Sequence, residues 1–396
     1  MVAEPGPRLR VALSGTFWGQ ETVGSGQYLH YLVEALAALP DGPEVVLCGP
    51  PELRALRPVP YGVSWQDVPA SLWRRLGSNP EKVWFEQVAF PRAAVAAGAA
   101  VAHAPYFGSA LLSLCPTVVT VHDLIPLVLP AYRRSPLVRA YTALVCRAAC
   151  RATLVLTDAE ATRTEVVRRL GIPPARVRAV PLAAGPACRP AEDWRIADTR
   201  GHYNLPERYF LYLGGFDERK NLATLFRAMA EARRREPGLP PLVVAGALPA
   251  RETPLIPDPR RLAHEAGLEG SVTFPGRVAE EAKPALYSGA VAFLFPSRYE
   301  GFGLPVLEAM ACGAPVIAAC ATSLREVVGE AGLLVSPGDV SGWAEAILQL
   351  ARNEELRREL RALGLSRAAH FSWERTARET VAAYRAAAEG SVGSVK

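Results

Sequence analysis

The strongest constraint on this chain is the size and order of its apolar runs. Residues 9–13, 44–47, 101–103, 117–121, 153–157 and 177–182 are short and mostly apolar. Runs of this length are too short for helices and fit strands buried in a parallel sheet. Helix-patterned segments separate them. Residues 27–38 place Tyr28, Leu32, Ala35 and Leu36 on one face, 135–150 form a basic helix, and 158–170 form another. Alternation of this kind predicts a doubly wound α/β sheet. It breaks over residues 183–205, where Pro186, Pro190, Asp193, Asp198 and Gly201 suggest a linker. It then restarts with strands at 209–213, 242–245, 272–274 and 291–295 and helices at 221–235 and 260–265. Helices fill 340–370, and a last one covers 374–388.

A length of 396 residues allows two such domains, each with its own core. The expected division is an N-terminal domain at 1–188, a linker at 189–205, a C-terminal domain at 206–373 and a terminal segment at 374–396. Two sheets of this type predict a cleft between them, with ligands at the carboxyl ends of strands. Half the residues are apolar and 21% are charged, as in a globular chain, and the net charge of +5 is spread rather than striped. No nucleic-acid partner is therefore expected. The seven cysteines include no Cys-x-x-Cys pair and read as reduced thiols of a cytoplasmic protein. Residues 92–123 carry little charge, but Pro105, Gly108 and Pro116 interrupt them, so they read as two strands and a loop rather than a membrane span.

The most informative stretch runs from Phe293 to Ile317. A strand ends at Pro296-Ser297, and Glu300-Gly301-Phe302-Gly303 forms a loop whose glycines admit a ligand close to the backbone. Leu304 follows, and Pro305 is expected at the first position of a helix, which puts Glu308 in its first turn. Free N–H groups at that helix start would face hydroxyls or anionic oxygens, and Glu300 and Glu308 would bracket the opening as two acceptors. Taken alone, a Glu pair is more often a dipole partner and a solvated loop residue. A second motif, Gly214-Gly215-Phe-Asp-Glu-Arg219-Lys220-Asn, follows a strand and opens a helix, and two cations beside such a start suit a diphosphate.

Pro-Ser, Glu-Gly-Phe-Gly-Leu-Pro and Glu-Ala-Met-Ala-Cys-Gly together resemble the Glu-x7-Glu signature of retaining glycosyltransferases of family 4, over about twenty-five continuous residues. That resemblance implies the GT-B fold, with two Rossmann-like domains facing a central cleft and a C-terminal helix that crosses back to the N-terminal domain. It implies a metal-independent, retaining transfer of a hexose, mannose or glucose-like, from a GDP- or UDP-linked donor. The acceptor would be a glycan, a lipid-linked sugar or a small molecule, and no further cofactor is implied.

By the same resemblance Arg219 and Lys220 would neutralise the departing diphosphate. Gly24-Ser25-Gly26 would form a glycine loop touching the donor phosphate, although a lone Gly-x-Gly is equally a simple turn. His122, ending the strand before Asp123, would contact the donor hexose, with Asp123 orienting it or its loop. Arg277 and Val278 would frame the nucleobase or form a turn. Tyr106 and Phe107 are placed on the acceptor side by position alone. Glu300 is not assigned as a nucleophile.

The sequence shows no Asp-x-Asp triplet and no His pair at ligand spacing, so no metal site is expected. Two other readings stay open: a nucleotide-sugar epimerase of the same architecture, and an inactive sugar-nucleotide-binding protein. Arg133, Arg134, Arg139, Arg147 and Arg151, with Trp73-Arg74-Arg75, raise peripheral contact with the inner membrane face, against the plainer reading of a solvated basic helix.

Overall fold

The computed structural model describes residues 8–21, 23–69, 71, 78–133 and 135–392. Trp73, Arg74, Arg75 and Arg134 lie outside them. The chain divides into two compact units, one of residues 1–182 with 372–396, the other of residues 183–371.

Among the described residues, the first unit holds a seven-stranded sheet. Its strands are β1 (Arg10–Ser14), β2 (Glu44–Gly49), β3 (Ser64–Asp67), β4 (Val101–Ala104), β5 (Thr117–Val121), β6 (Leu154–Thr157) and β7 (Val177–Ala179). All pairings are parallel in the order β3-β2-β1-β4-β5-β6-β7. The central strands β4, β5 and β6 are buried at every position, which is why they read as unbroken apolar runs. Edge strand β3 was not expected from residues 50–77, since Ser-Trp-Gln-Asp lacks any apolar alternation. The helices used below are α1 (Gly24–Ala38), α2 (Pro136–Arg151) and, at the far end of the chain, Trp373–Val392. That last helix packs on α1, β4 and β5. Its Tyr384 is buried and its hydroxyl lies 2.7 Å from Nδ1 of His103 on β4.

The second unit holds six parallel strands: β8 (Phe210–Leu213), β9 (Leu242–Ala245), β10 (Val272–Gly276), β11 (Ala292–Phe295), β12 (Val316–Ala319) and β13 (Leu333–Val335). Their order is β10-β9-β8-β11-β12-β13. Its helices include α3 (Asp193–His202), α4 (Leu222–Arg235), α5 (Lys283–Ser288), α6 (Leu304–Ala311) and α7 (Glu354–Ala368); the terminal helix Trp373–Val392 is then α8. Helix α3 occupies the segment 189–205 that the prolines marked as a linker, and it packs against α5. Pro186 and Pro190 precede the helix rather than interrupt it, so they are compatible with it.

Both sheets follow the doubly wound order, in which the winding direction reverses beside the first strand: between β1 and β4 in one, between β8 and β11 in the other. Loops leaving the carboxyl ends of those two strands diverge and open a crevice. The glycine-rich and charged motifs follow β8 and β11.

Candidate active site

The crevice of the second sheet gathers the charged motifs. After β8, residues Glu218–Lys220 make a single tight turn, and Asn221, at φ +60°, caps α4. The Asn221 amide donates to the carbonyls of Pro296 (3.1 Å) and Pro337 (2.7 Å), which ties the β8 loop to the end of β11. Lys220 is therefore buried, at 8% exposure. Its Nζ lies 2.6 Å from Oε1 of Glu300, and Nη1 of Arg219 lies 2.8 Å from the same oxygen. Ser297 Oγ donates to that oxygen too, Arg219 Nε reaches Asp217 at 3.0 Å, and Lys220 Nζ sits 4.9 Å from the Phe295 ring centre.

Burial alone would raise the Glu300 carboxyl, but the charges of Lys220 and Arg219, with hydrogen bonds from Lys220 and Ser297, outweigh it and hold the group below its ordinary value. Its backbone is fixed as well: the N–H donates to Thr322 Oγ1 (3.1 Å), and the carbonyl accepts from Thr322 (3.0 Å) and Ser323 (2.9 Å). Glu300 is thus an ionised counterion to two cations, not the open acceptor that its loop position suggested.

Glu308 also departs from its expected place. Gly303 caps α6 at φ +114°, and a β-carbon there would lie 2.6 Å from the Leu324 side chain, so both conformation and space require glycine. The cap starts the helix at Leu304, one residue before Pro305, which moves Glu308 into the second turn. There it is buried at 9% exposure and accepts a hydrogen bond from the Tyr287 hydroxyl at 3.0 Å. Burial pushes its carboxyl up, against the pull of Lys283 and Tyr287. Among the remaining expected contacts, Gly215 accepts from the Tyr212 hydroxyl, Gly301 lies on the Glu300 loop, and Phe302 is buried edge-on to Phe371. Exposed Arg277 and buried Val278 follow β10, the edge strand, two strands from the crevice.

In the first unit, Gly24-Ser25-Gly26 is not a loop but the first turn of α1. A β-carbon on Gly26 would stand 2.0 Å from the Gln20 carbonyl oxygen, so this glycine lets the preceding loop fold back onto the helix. His122 directly follows β5 with both ring nitrogens engaged. Nδ1 donates to Asp158 Oδ2 at 2.8 Å, and Nε2 donates to the Pro105 carbonyl at 3.1 Å. The Tyr28 ring meets it edge-on at 4.7 Å. A carbonyl and a carboxylate only accept, so this pair of bonds favours the imidazolium. Burial would lower the His122 value, but the Asp158 charge and hydrogen bond, helped by Pro105 and Asp123, raise it above the ordinary imidazole range.

Asp158, not Asp123, holds the ring; Asp123 Oδ1 accepts from the N–H of Ile125 at 2.9 Å and shapes the following turn. Asp158 went unnoticed in the sequence although it directly follows β6, the neighbour of β5. Tyr106, placed on the acceptor side by position, is buried at 4% exposure with its hydroxyl 3.4 Å from Thr16 Oγ1 and its ring 4.9 Å edge-on to Phe17. Phe107 is half-buried against the core beneath β5 and β6. Tyr106 is thus enclosed, while Phe107 keeps part of its surface exposed. Among the described residues, no group of three His, Cys, Asp or Glu side chains could hold a metal ion, and no helix is long and apolar enough to cross a membrane.

Comparison with known proteins agrees with this architecture. The family described as Glycosyltransferase Family 4 matches residues 23–184, and the family described as Glycosyl transferases group 1 matches residues 198–366. The O-antigen chain mannosyltransferase B of Escherichia coli is 34% identical over 273 residues, which is 68% of this chain and 70% of that protein. Sucrose-phosphate synthase from Thermosynechococcus elongatus superposes with a TM-score of 0.72 at 26% identity, covering 96% of this chain and 98% of the other. Anabaena HepE, solved in complex with UDP-glucose, gives a TM-score of 0.72 at 16% identity over 94% of this chain and 98% of its own. The chain belongs to the group 1 glycosyl transferases of glycosyltransferase family 4, and it is a glycosyltransferase of the GT-B fold.

Proposed function

We propose that the protein transfers a hexose, mannose in the first instance, from a nucleoside diphosphate sugar to an acceptor hydroxyl, with retention at the anomeric carbon and without a metal ion. The observation that carries this reading is the pair of cations, half-buried Arg219 and buried Lys220, converging on one Glu300 oxygen in the crevice of the second sheet. The donor diphosphate takes the place of Glu300 on the two cations, which supply the neutralisation that a metal would otherwise give. Glu300, released, accepts from hexose hydroxyls. Glu308 accepts from the nucleoside ribose, and the N–H groups of Gly301, Phe302, Gly303 and Leu304 face the donor at the start of α6.

In the transfer step the bond from the anomeric carbon to the diphosphate oxygen breaks, and a bond to the acceptor oxygen forms on the same face. The acceptor proton passes to the departing phosphate oxygen, and nucleoside diphosphate leaves. His122 contributes as a cation toward the transferred sugar, held by Asp158. Gly24, Ser25 and Gly26 offer amides at the start of α1 to phosphate, Gly215 opens the cation loop, and Arg277 and Val278 border the base.

The mannosyl choice draws on the similarity to an O-antigen mannosyltransferase. GDP-mannose and UDP-glucose are the two donors to compare, by thermal shift and by release of nucleoside diphosphate in the presence of acceptor glycans. Stabilisation by GDP-mannose that vanishes in Lys220→Ala is expected. Stabilisation by UDP-glucose alone moves the assignment to a glucosyl donor, and stabilisation by neither overturns the donor site.

The acceptor is read as a lipid-linked or free glycan met at the cytoplasmic membrane face. Helix α2 supports this, because Leu137 is 79% and Val138 40% exposed beside exposed Arg139 and Arg147. Binding to anionic vesicles should fall in Leu137→Glu with Arg139→Glu; equal partition of this variant and the wild type ends the membrane reading.

A further inference from the structure

The second unit carries another charged depression, at the opposite ends of its strands. A pocket of about 340 Å³ is lined by residues 288–291, which lead into β11, by Pro315, which precedes β12, and by Glu354, Arg357, Arg358 and Arg361 of α7. The Arg219–Glu300–Lys220 cluster lies past the carboxyl end of the same strand, so the whole length of β11, about 13 Å, separates the two.

Arg357 is half-buried, whereas Arg358 and Arg361 are exposed at the rim. Arg357 Nη1 donates to the carbonyls of Leu350 (2.7 Å) and Ala351 (3.1 Å), and Arg361 Nη2 donates to the Ser288 carbonyl (3.3 Å). Those bonds fix each guanidinium by one edge. Among the described residues neither Arg357 nor Arg361 has a carboxylate within ion-pairing distance; only Arg358 does, on Glu354. Arg208, donating to the Ala351 carbonyl at 3.5 Å, adds a further positive charge beside Arg357. A guanidinium has five N–H donors, so two or more remain on each fixed fork. Their fork geometry suits the oxygens of a phosphate, as it does those of a carboxylate, and the cluster of positive charge favours the more highly charged anion. The floor of Ala290, Val291 and Pro315 is apolar and shallow, and the volume suits a small solute, not a polymer.

We propose that this pocket binds a small phosphate-bearing anion, held by Arg357 and Arg361 and steered by Arg358. The site is independent of the donor diphosphate, and the inference stands whether or not Lys220 holds that diphosphate.

Inorganic pyrophosphate is the probe, titrated calorimetrically into the full-length Lys220→Ala protein so that the donor crevice is disabled. One saturable site is expected, weakened at least tenfold by Arg357→Gln with Arg361→Gln. Arg358→Glu reverses a charge that, among the described residues, makes a surface ion pair with Glu354 alone, so that variant should fold and still bind several-fold less tightly. Sulfate should compete, and raised sodium chloride should weaken binding. Absence of a saturable site in Lys220→Ala, or affinity unchanged in both the Arg357/Arg361 and the Arg358 variants, overturns the assignment. If the double variant loses its thermal transition, Arg358→Glu alone decides.

Discussion

Replacing Glu300 by glutamine separates two roles that one side chain combines. In the ligand-free protein its carboxylate neutralises Lys220 at 2.6 Å and Arg219 at 2.8 Å. A phosphate that takes both cations leaves the displaced carboxylate, whose backbone Thr322 and Ser323 hold in place, roughly 5–6 Å away, given ~3 Å hydrogen bonds. At an effective dielectric constant of about 20, two unit charges at that separation repel by about 3 kcal/mol. Residual solvent access at Glu300, whose side chain is 12% exposed, reduces the figure, so Glu300→Gln should bind the product nucleoside diphosphate about 10- to 100-fold more tightly. Sugar transfer should fall nonetheless, because the amide is a poorer acceptor for hexose hydroxyls and product leaves slowly. Stability should drop by about 1–3 kcal/mol, less than for a fully orphaned buried pair, since Arg219 keeps Asp217. Calorimetry with GDP and UDP on both proteins, alongside single-turnover rates, tests the reasoning. Product affinity that is unchanged or weaker in Glu300→Gln would refute the idea that the diphosphate displaces this carboxylate.

Three other perturbations follow from the same geometry. His122 is raised above the usual value near 6.5, so the proton it gains in the fold contributes stability below about that pH and the contribution is lost as pH rises through the raised value, while burial raises the Asp158 carboxyl too and the pair itself is broken at the acid end; Asp158→Asn should flatten the alkaline limb in urea midpoints measured from acid to alkaline pH, and an unchanged limb would exclude the pair as its source. Gly26→Ala should cost about 2–3 kcal/mol by driving a methyl into the Gln20 carbonyl, whereas Gly24→Ala, with nothing within 4 Å of the added carbon, should be neutral or stabilising by about 0.5–1 kcal/mol in thermal unfolding. Tyr384→Phe leaves the buried Nδ1 of His103 without its partner and should cost about 1–3 kcal/mol; loss of less than a few tenths would mean a water replaces the hydroxyl.

How far the sequence could be read depended on whether one strand or two determined the answer. Strands β4, β5, β6, β8, β9 and β11 were legible because burial on both faces writes an unbroken apolar run into the chain. Polar β3 was not, because an edge strand needs only backbone partners. Helix α3 was hidden among prolines that precede it. The cation loop and the Glu300 loop were each visible as motifs, but their direct ion pair was not, since it joins residues 80 apart. Nor was the position of Gly303 as the helix cap, which depends on Leu324 closing in on its α-carbon.

His122 shows the same limit most sharply. Its nearest acid in sequence is Asp123, and a local reading pairs them. A strand end, however, turns its side chains toward the ends of neighbouring strands, and β5 pairs with β6 so that Val121 lies opposite Thr157. The residues just beyond, His122 and Asp158, are then brought side by side by register, while Asp123 folds back to accept from the N–H of Ile125. In a parallel sheet the partner of a strand-end histidine is therefore better sought one strand over, at the equivalent step past the carboxyl end, than one residue along. The second unit also pairs charges across neighbouring strands, but through loops of unequal reach past Leu213 and Phe295. Strands β8 and β11 are neighbours, and the loops that leave them bring Lys220 and Glu300 onto one another. Each unit thus builds an ion pair from two adjacent strands, which makes the proton state of His122 a property of sheet register, and the charge state of Glu300 one of the loops that leave neighbouring strands, as much as of the residues themselves.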